Sequence, residues 1–444
     1  MNNQLTLEIY RQGKWQTAAT FKVDDITAGY RGSSLLNYDV PYAAENIQQA
    51  EAAGLSARFP ANFDFHQLPT WPAFILDILP SGAGRTHWLK RLELDDGAGV
   101  DWPLLLTGTA FPPGNVRVAE AAAQKDLDAL APKASGEQVA MHAHPGFTTD
   151  EILDRQEYFI EYVYENGAQT AGASDVQGAA PKFLLTKDHQ GRWHAEGVLS
   201  DDQISSYWLV KFPRGRKSAD RKVLKNEAAY MAVAQQLGFK VNSKLMWEND
   251  TLFIPRFDRR KTKNELTDRL GMESLCSLAG VCNYGVNIPH ETLSEALATF
   301  STDPQTELIE YLLRDVINVV LGNKDNHARN TAVHRFEDGR VTLTPLFDFA
   351  PMYLDPEGIA RVCRWAKELE SAGQPDWAAV MDHLSPVISA TSVDANAVKV
   401  TLRDFGQKLL TLPDIMRSCG VDDDIIEFRT PSIEANANQL IGMK

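Results

Sequence analysis

Residues 322–330 read Gly-Asn-Lys-Asp-Asn-His-Ala-Arg-Asn, and Asp348 follows them after two short apolar runs. The stretch contains an acid, Asp325, and an amide, Asn330, on either side of a histidine. Phosphoryl transfer requires one carboxylate that accepts a proton, together with amide and carboxylate oxygens that bind magnesium. The pattern therefore predicts a phosphoryl-transfer site with Asp325 as the proton acceptor and with Asn330 and Asp348 as the magnesium ligands.

A predicted hairpin brings these side chains together. Residues 330–336 and 341–347 are rich in β-branched and apolar side chains, which predicts two strands. The Asp-Gly pair at 338–339 favours a two-residue turn between them. In that register Asn330 lies opposite the residue before Asp348, so an amide oxygen and a carboxylate reach a shared cation.

Composition places the chain among globular proteins with more than one domain. Its 444 residues are 44% hydrophobic and 23% charged, and no apolar run approaches the length of a membrane span. The net charge of −15 argues against a broad electrostatic grip on nucleic acid. The cysteines lie far apart without CxxC spacing, which predicts reduced thiols and a cytoplasmic protein. They are Cys276, Cys282, Cys363 and Cys419.

The order of predicted elements favours an α+β protein with a kinase-like, two-lobed fold. Residues 1–147 alternate strands with a helical run at 71–79, which predicts an additional N-terminal α/β subdomain and a boundary segment. A capping box at 148–151 then opens a helix. We expect a strand-rich lobe with a phosphate-binding loop at 148–262, and a helical lobe with the catalytic loop and the hairpin at 263–444.

Lys211 is the candidate lysine for nucleotide phosphates. It shares one face of a predicted strand with Tyr207 and Leu209, and an ammonium on an apolar face needs a partner or must reach solvent. Glu227, on the next predicted helix, is the natural partner. The alternative is an edge-strand lysine with its head group in water.

A loop of small residues, 167–182, precedes the strand KFLLT and could let backbone N–H groups approach phosphate oxygens. The alternative is a flexible connector, since the loop matches neither common phosphate-loop motif. The candidate residues are Ser174, Asp175, Val176, Gln177, Gly178 and Lys182.

Two further candidates lie at the junction of the lobes and in the catalytic loop. At Arg256 and Phe257, exposed backbone could bond an adenine edge while the ring packs on its face; the alternative is a hinge with surface ion pairs and no ligand contact. His327 could contact phosphate, although a lone histidine is more often structural.

In their order along the chain, four segments resemble the HipA family of serine/threonine protein kinases, the toxins of bacterial type II toxin–antitoxin pairs. The segments are NEAAYMAVAQQLGF, FIPRFDRR, GNKDNHARN and TPLFDFAPMY. The resemblance covers most of the chain and implies a catalytic base at Asp325 and magnesium ligands at Asn330 and Asp348. It also implies that Lys211 contacts phosphate with support from Glu227, and that residues 256–258 form the hinge.

The family's phosphate loop typically reads Ser-x-x-Gly-x-x-x-Lys, and phosphorylation of its serine switches the kinase off. Gly178 and Lys182 fit this pattern, but Asp175 occupies the serine position and Ser174 lies beside it. Either Ser174 is autophosphorylated in a shifted register, or Asp175 supplies the negative charge without phosphate.

The resemblance implies an ATP- and Mg²⁺-dependent serine/threonine protein kinase that acts as a growth-inhibiting toxin on a cellular protein, for example one of translation. It also implies a helix-turn-helix antitoxin partner, with DNA contacted only through that partner. Two alternatives stay open: a small-molecule kinase, and a non-catalytic kinase-like module that binds a transcriptional regulator.

Overall fold

The computed structural model describes residues 2–130, 144–166, 181–215, 217–262, 264 and 266–443, and its architecture is mixed α/β. Within these ranges the strands form two five-stranded sheets, one three-stranded sheet and two strand pairs. No described helix combines the length and the apolarity needed to cross a bilayer.

The first sheet is antiparallel, with the strand order β4-β3-β2-β1-β5. Leu5, Leu7 and Ile9 alternate along β1 and are at most 1% exposed, so the period-two pattern buries one face. Gln12 and Gly13 both have positive φ, which suits a two-residue hairpin between β1 and β2. The strands are β1 Gln4–Arg11, β2 Lys14–Val23, β3 Ser34–Tyr38, β4 Phe65–Leu68 and β5 Val116–Val118.

Five helices accompany this sheet. The predicted helical run at 71–79 is mostly not helical, because only Ile75–Ile78 forms a helix. Leu79 is extended (ψ 129°), since the following Pro80 disfavours the helical conformation of the residue before it. The helices are α1 Val40–Asn46, α2 Ile75–Ile78, α3 Gly82–Leu92, α4 Asp101–Gly108 and α5 Ala119–Leu130.

The second sheet has the order β7-β6-β8-β10-β9. Its central pair, β6 and β8, places Lys182 directly opposite Lys211. The predicted capping box is present, with Thr148 as the N-cap and Glu151 at the third helical position. The elements are α6 Thr149–Leu153, α7 Glu157–Glu165, β6 Lys182–Asp188, β7 Trp193–Ala195, β8 Ile204–Lys211, α8 Ser218–Leu237, β9 Met246–Glu248 and β10 Thr251–Pro255.

A three-stranded sheet carries the predicted hairpin. It consists of β13 (Gly271–Ser274), β14 (Ala332–Arg335) and β15 (Val341–Leu343), after the strand pair β11 (Arg259–Lys261) and β12 (Thr267–Arg269). Both hairpin strands are shorter than predicted.

The predicted hairpin register is wrong by one residue. Phe336 N–H donates to Arg340 O at 2.9 Å, so the turn contains three residues, 337–339. Gly339 closes it at φ 86°, the left-handed conformation that completes a three-residue hairpin. The ladder pairs Val333 with Leu343 and ends near there, so the candidate metal ligands Asn330 and Asp348 lie in the loops that flank the hairpin and not in the ladder.

The rest of the chain is mainly helical, as predicted. Helix α11 starts at Pro304, where the Asp303 side chain accepts from Thr306 N–H, and ends at Gly322 (φ 72°). The long helices α8, α11, α14 and α16 share the largest buried apolar cluster. The elements are α9 Leu275–Leu278, α10 His290–Phe300, α11 Pro304–Leu321, β16 Glu370–Ser371, β17 Gln374–Pro375, α12 Trp377–His383, α13 Ser385–Ala390, α14 Ala395–Leu409, α15 Leu412–Ser418 and α16 Asp423–Ile441.

Candidate functional site

Asp348 binds two lysines from neighbouring strands. Lys211 Nζ lies 2.5 Å from Asp348 Oδ1, and Lys182 Nζ lies 3.1 Å from Oδ2. The second oxygen partner of Lys211 is Glu227 Oε1, at 2.6 Å, which is the pairing expected from the sequence. Two like charges directly opposite each other repel, so the two carboxylates are what allows both lysines to stay charged there.

The neighbouring charges shift the pKa values of Asp348 and Lys211 in opposite directions. Burial alone would raise the pKa of Asp348, but Lys182 and Lys211 hold it well below its ordinary value. Burial would lower the pKa of Lys211, but Asp348 and Glu227 raise it above its ordinary value. Both groups are therefore ionised at neutral pH. Asp348 also has φ 55°, a left-handed conformation that non-glycine residues adopt rarely, although Asp does so more readily than most.

The loop after α11 holds Asp325 and Asn330 against each other. Asn330 Nδ2 donates to the backbone oxygen of Asp325 at 2.8 Å, and its own N–H donates to His327 O at 2.8 Å. Because the amide nitrogen is used in this way, Asn330 Oδ1 is left as the free end of the side chain.

Several polar atoms of this loop are buried without a hydrogen bond to any part of the chain that the structure describes. They are Asn323 Oδ1, Asp325 Oδ1, Asn330 Oδ1 and both ring nitrogens of His327. His327 Nε2 comes within 3.5 Å of Asp325 Oδ1. Burial raises the pKa of Asp325, and Asp348 adds to the rise while His327 opposes it. Buried polar groups normally have partners, so these atoms are available to a bound ligand.

Amide and carboxylate oxygens fit a magnesium ion, which binds few protein ligands and keeps further positions for water or phosphate. Asn330 Oδ1 and a carboxylate oxygen of Asp348 are the atoms of this chain that would hold it. Across the described ranges no three His, Cys, Asp or Glu side chains form a complete metal site. A magnesium ion bound with phosphates typically takes only one or two carboxylates from the protein.

Two hollows meet at this cluster and share Lys182, Lys211, Glu227 and Asp348 as a common wall. Asp325 lines one of them. The other is larger, and its mainly apolar lining includes Leu184, Leu209, Met231, Leu245, Ile254, Leu346 and the predicted hinge residues Arg256 and Phe257.

The predicted hinge, residues 256–258, carries ion pairs, but they are buried. The Arg256 guanidinium donates to Asp258 at 2.6 and 2.8 Å and to Glu196, and each of these side chains is at most 6% exposed. Its nitrogens are therefore occupied by carboxylates. Phe257 lies in the cleft wall, with its ring centroid 5.7 Å from that of Phe347.

The N-terminal part completes the hinge cluster. Arg259 donates to the backbone oxygens of Gly114 and Pro112 at 2.6 and 2.8 Å, and Gly114 N–H donates to Asp258 at 2.9 Å. Arg256 and Arg259 balance Asp258 and Glu196, so the buried cluster has no net charge.

Two residues that sequence reasoning missed support the catalytic loop. Asn326 Oδ1 accepts from the N–H groups of Val362 and Cys363 at 3.1 and 3.2 Å, and its Nδ2 donates to Cys363 O at 3.0 Å. Asp77, in α2, accepts from Arg329 at 2.8 Å. A lone acid inside the apolar run WPAFILDIL was the available signal for Asp77.

The candidate phosphate-loop residues Ser174, Asp175, Val176, Gln177 and Gly178 lie outside the described residues. Lys182 is the member of that set which the structure places, at the Asp348 cluster.

Comparison with known proteins gives the family. The HipA-like C-terminal domain matches residues 174–409. A curated relative from Sinorhizobium fredii, "Putative kinase Y4mE", is 26% identical over 147 residues, which cover 30% of this chain and 33% of the relative. The alignment thus spans about a third of that protein's length.

One solved structure supports the fold. HipA of Shewanella oneidensis MR-1, in its complex with HipB and operator DNA, aligns with a TM-score of 0.65 at 17% identity, covering 99% of this chain and 98% of that one. The Helicobacter pylori proinflammatory kinase CtkA aligns with a TM-score of 0.34 at 13% identity, over 54% of this chain and 90% of that one. Because the HipA-like C-terminal domain spans residues 174–409, more than half of the 444-residue chain, the protein belongs to the HipA-like family.

Proposed function

We propose that this protein is an ATP- and Mg²⁺-dependent serine/threonine protein kinase of HipA type, with a kinase-like two-lobed fold. The observation that carries the proposal is the meeting of two hollows at the Asp348 cluster. An apolar hollow bounded by the hinge suits a nucleotide, and the hollow that contains Asp325 suits the acceptor hydroxyl. Family membership supports the same activity.

Each side chain has a distinct role in this proposal. Lys211, fixed by Glu227 at 2.6 Å, and Lys182 hold phosphate oxygens. Asn330 and Asp348 hold the magnesium ion, which when bound neutralises charge on the phosphates. Asp325 accepts the proton of the attacking hydroxyl, and its raised pKa makes the carboxylate a stronger base.

Asp348 must change partners for these roles to be filled. In the structure its two oxygens bind Lys211 and Lys182. We propose that these lysines turn to phosphate oxygens when nucleotide enters, which leaves Asp348 free to bind the cation. The two negative charges of Glu227 and Asp348 keep the lysines in place until then.

We further propose that the protein is a growth-inhibiting toxin whose substrate is a cellular protein, for example one of translation, and whose partner is a helix-turn-helix antitoxin. The similar fold of a HipA solved with HipB and operator DNA supports this proposal. The net charge of −15 favours DNA contact through such a partner and not through this chain.

Phosphopeptide mass spectrometry of cells that express wild type or Asp325→Asn tests the function. The exchange is isosteric, so folding should persist, while loss of the base should reduce phosphorylation about 10²- to 10⁴-fold. Phosphoserine or phosphothreonine that depends on Asp325 supports a protein kinase. Labelled ATP that marks only small molecules would favour the small-molecule kinase, and equal phosphorylation by the variant would refute the role of Asp325.

A further inference from the structure

A carboxylate from the N-terminal part reaches the loop that carries Asn330. Asp77 belongs to α2, beside the first sheet, and its side chain is 14% exposed. It accepts from Arg329 Nη1 at 2.8 Å. Since Arg329 directly precedes Asn330, this contact fixes the backbone on one side of the candidate metal ligand.

The same carboxylate fixes the backbone on the other side. Asp77 accepts from Ser274 N–H at 2.9 Å and from Ser274 Oγ at 2.7 Å. Ser274 is the cross-strand partner of Ala332, which follows Asn330 by two residues. The segment that holds Asn330 is therefore anchored at both ends to one side chain.

A second contact from α2 supports the first. The Arg329 guanidinium lies over the Tyr284 ring, 4.7 Å from its centroid, and Tyr284 Oη donates to Leu76 O at 3.1 Å. Arg329 is thus held between the carboxylate of Asp77 and a ring that is itself bonded to the residue before Asp77.

To bind a cation, the Asn330 side chain must be held in one orientation. Its side chain presents Oδ1 for a cation only while Nδ2 donates to Asp325 O at 2.8 Å. A shift of the backbone at 329–332 would break that hydrogen bond and let the amide rotate. Groups that orient a metal ligand typically change metal affinity or activity by 10- to 100-fold when removed.

We propose that Asp77 is a positioning residue for the magnesium site, acting through Arg329 and Ser274 on Asn330. The inference rests on the proposed function. It gives the N-terminal part a role in cofactor binding, beyond its role as a neighbouring domain.

The test is magnesium-dependent binding of a non-hydrolysable ATP analogue to the full chain, followed by calorimetry. For Asp77→Asn we expect the magnesium concentration at half-maximal binding to rise about 10-fold. Asp77 and Arg329 also line the larger hollow, so binding of the metal-free analogue is measured as well and should change by a smaller factor. Arg329→Gln should produce the same shift, and the double variant should be no worse than either single one, because both act through one contact.

Asp101→Asn is the matched control. Asp101 is also a buried acid of the N-terminal part, but its side chain contacts Arg85 at 2.7 Å and Tyr30 N–H at 3.1 Å instead of Arg329 and Ser274. Its link to Arg329 is indirect, since the Tyr30 ring lies 5.3 Å from the Tyr284 ring. It should lower stability without moving the magnesium midpoint. An unchanged midpoint in both Asp77→Asn and Arg329→Gln, or an equal shift in Asp101→Asn, would overturn the positioning role alone. If wild type bound the analogue equally well with and without magnesium, the proposed function would be overturned as well.

Discussion

Asp348→Asn should destabilise the protein even when no nucleotide is present. The side chain neutralises Lys211 and Lys182, which face each other across β6 and β8. An asparagine of the same shape keeps hydrogen-bonding capacity but leaves two ammonium groups with Glu227 as the remaining carboxylate of the cluster. The expected effect is therefore electrostatic and separable from any loss of activity.

The magnitude follows from burial. Removing one partner of a buried ion pair costs about 3–5 kcal/mol. Lys211 is 4% exposed, but Asp348 is 21% and Lys182 is 13% exposed, so water screens part of the interaction. We expect the lower end of the range, a loss of about 3 kcal/mol in the free energy of unfolding.

Urea denaturation of the ligand-free protein, followed by fluorescence, measures this loss. In a Lys182→Met background the same Asp348→Asn exchange should cost clearly less, because only one lysine loses its partner. Asp382→Asn, which breaks an exposed pair with Lys399, should have no measurable effect. An equal cost in both backgrounds would refute the idea that Asp348 acts by neutralising two opposed lysines.

The pH dependence gives an independent check with a defined sign. The folded-state pKa of Asp348 lies below the ordinary value of 3.8, because Lys182 and Lys211 favour the carboxylate against burial. Its stabilisation is therefore fully present above 3.8 and is lost as the pH falls further toward the depressed folded-state pKa. The stability difference between wild type and Asp348→Asn should be constant near neutrality and should shrink below about pH 4.

Three further predictions concern the catalytic loop. Gly322→Ala should cost about 2 kcal/mol in urea denaturation, since a left-handed alanine is strained and its Cβ would lie 2.7 Å from Tyr353. Asn326→Ala should cost about 3 kcal/mol, at roughly 1 kcal/mol for each of three lost hydrogen bonds to the segment around Cys363; a change within error would show that these bonds do not hold the loop. The phosphoryl-transfer rate should fall as the pH drops through the raised pKa of Asp325, above the ordinary value of 3.8, while nucleotide affinity stays level; a rate that is flat down to pH 4 would contradict a role as base.

Much of the candidate site was predictable because its signals are local. The strand around Lys211 and the helix around Glu227 each follow from a short periodic pattern, and the two side chains meet at 2.6 Å. The loop from 322 to 330 is also local, since Gly322 ends α11 and the loop residues follow at once.

The hairpin register was not predictable in the same way. An Asp-Gly pair suits both a two-residue and a three-residue turn, and the difference depends on whether one or two residues adopt positive φ. Gly339 alone does so in this turn, at φ 86°. The strands shift by one residue as a result, and Asn330 and Asp348 lie in the flanking loops instead of in the ladder.

Contacts between residues distant in sequence could not be predicted, for a different reason. Asp77 and Arg329 are 252 residues apart, and Arg256 and Glu196 are 60 apart. No local pattern marks such pairs, because they form only when separately predicted elements pack together. The buried state of the hinge ions followed from that packing, whereas the sequence suggested ions on the surface.

The contacts of Arg259 with Pro112 and Gly114 tie the N-terminal part to the family domain, and this limits which fragments of the gene can be transferred by recombination. The Arg259 side chain is only 2% exposed in the full chain. A chain cut down to residues 174–409 lacks both of its backbone acceptors, Gly114 O and Pro112 O. Recombination that moved this span alone would leave the Arg259 guanidinium with Asp258 and Glu196 but without its two backbone acceptors. We expect gene fusions and duplications to carry the N-terminal part and residues 174–409 together. We also expect a protease that separates these two parts to destroy the protein without releasing an active fragment.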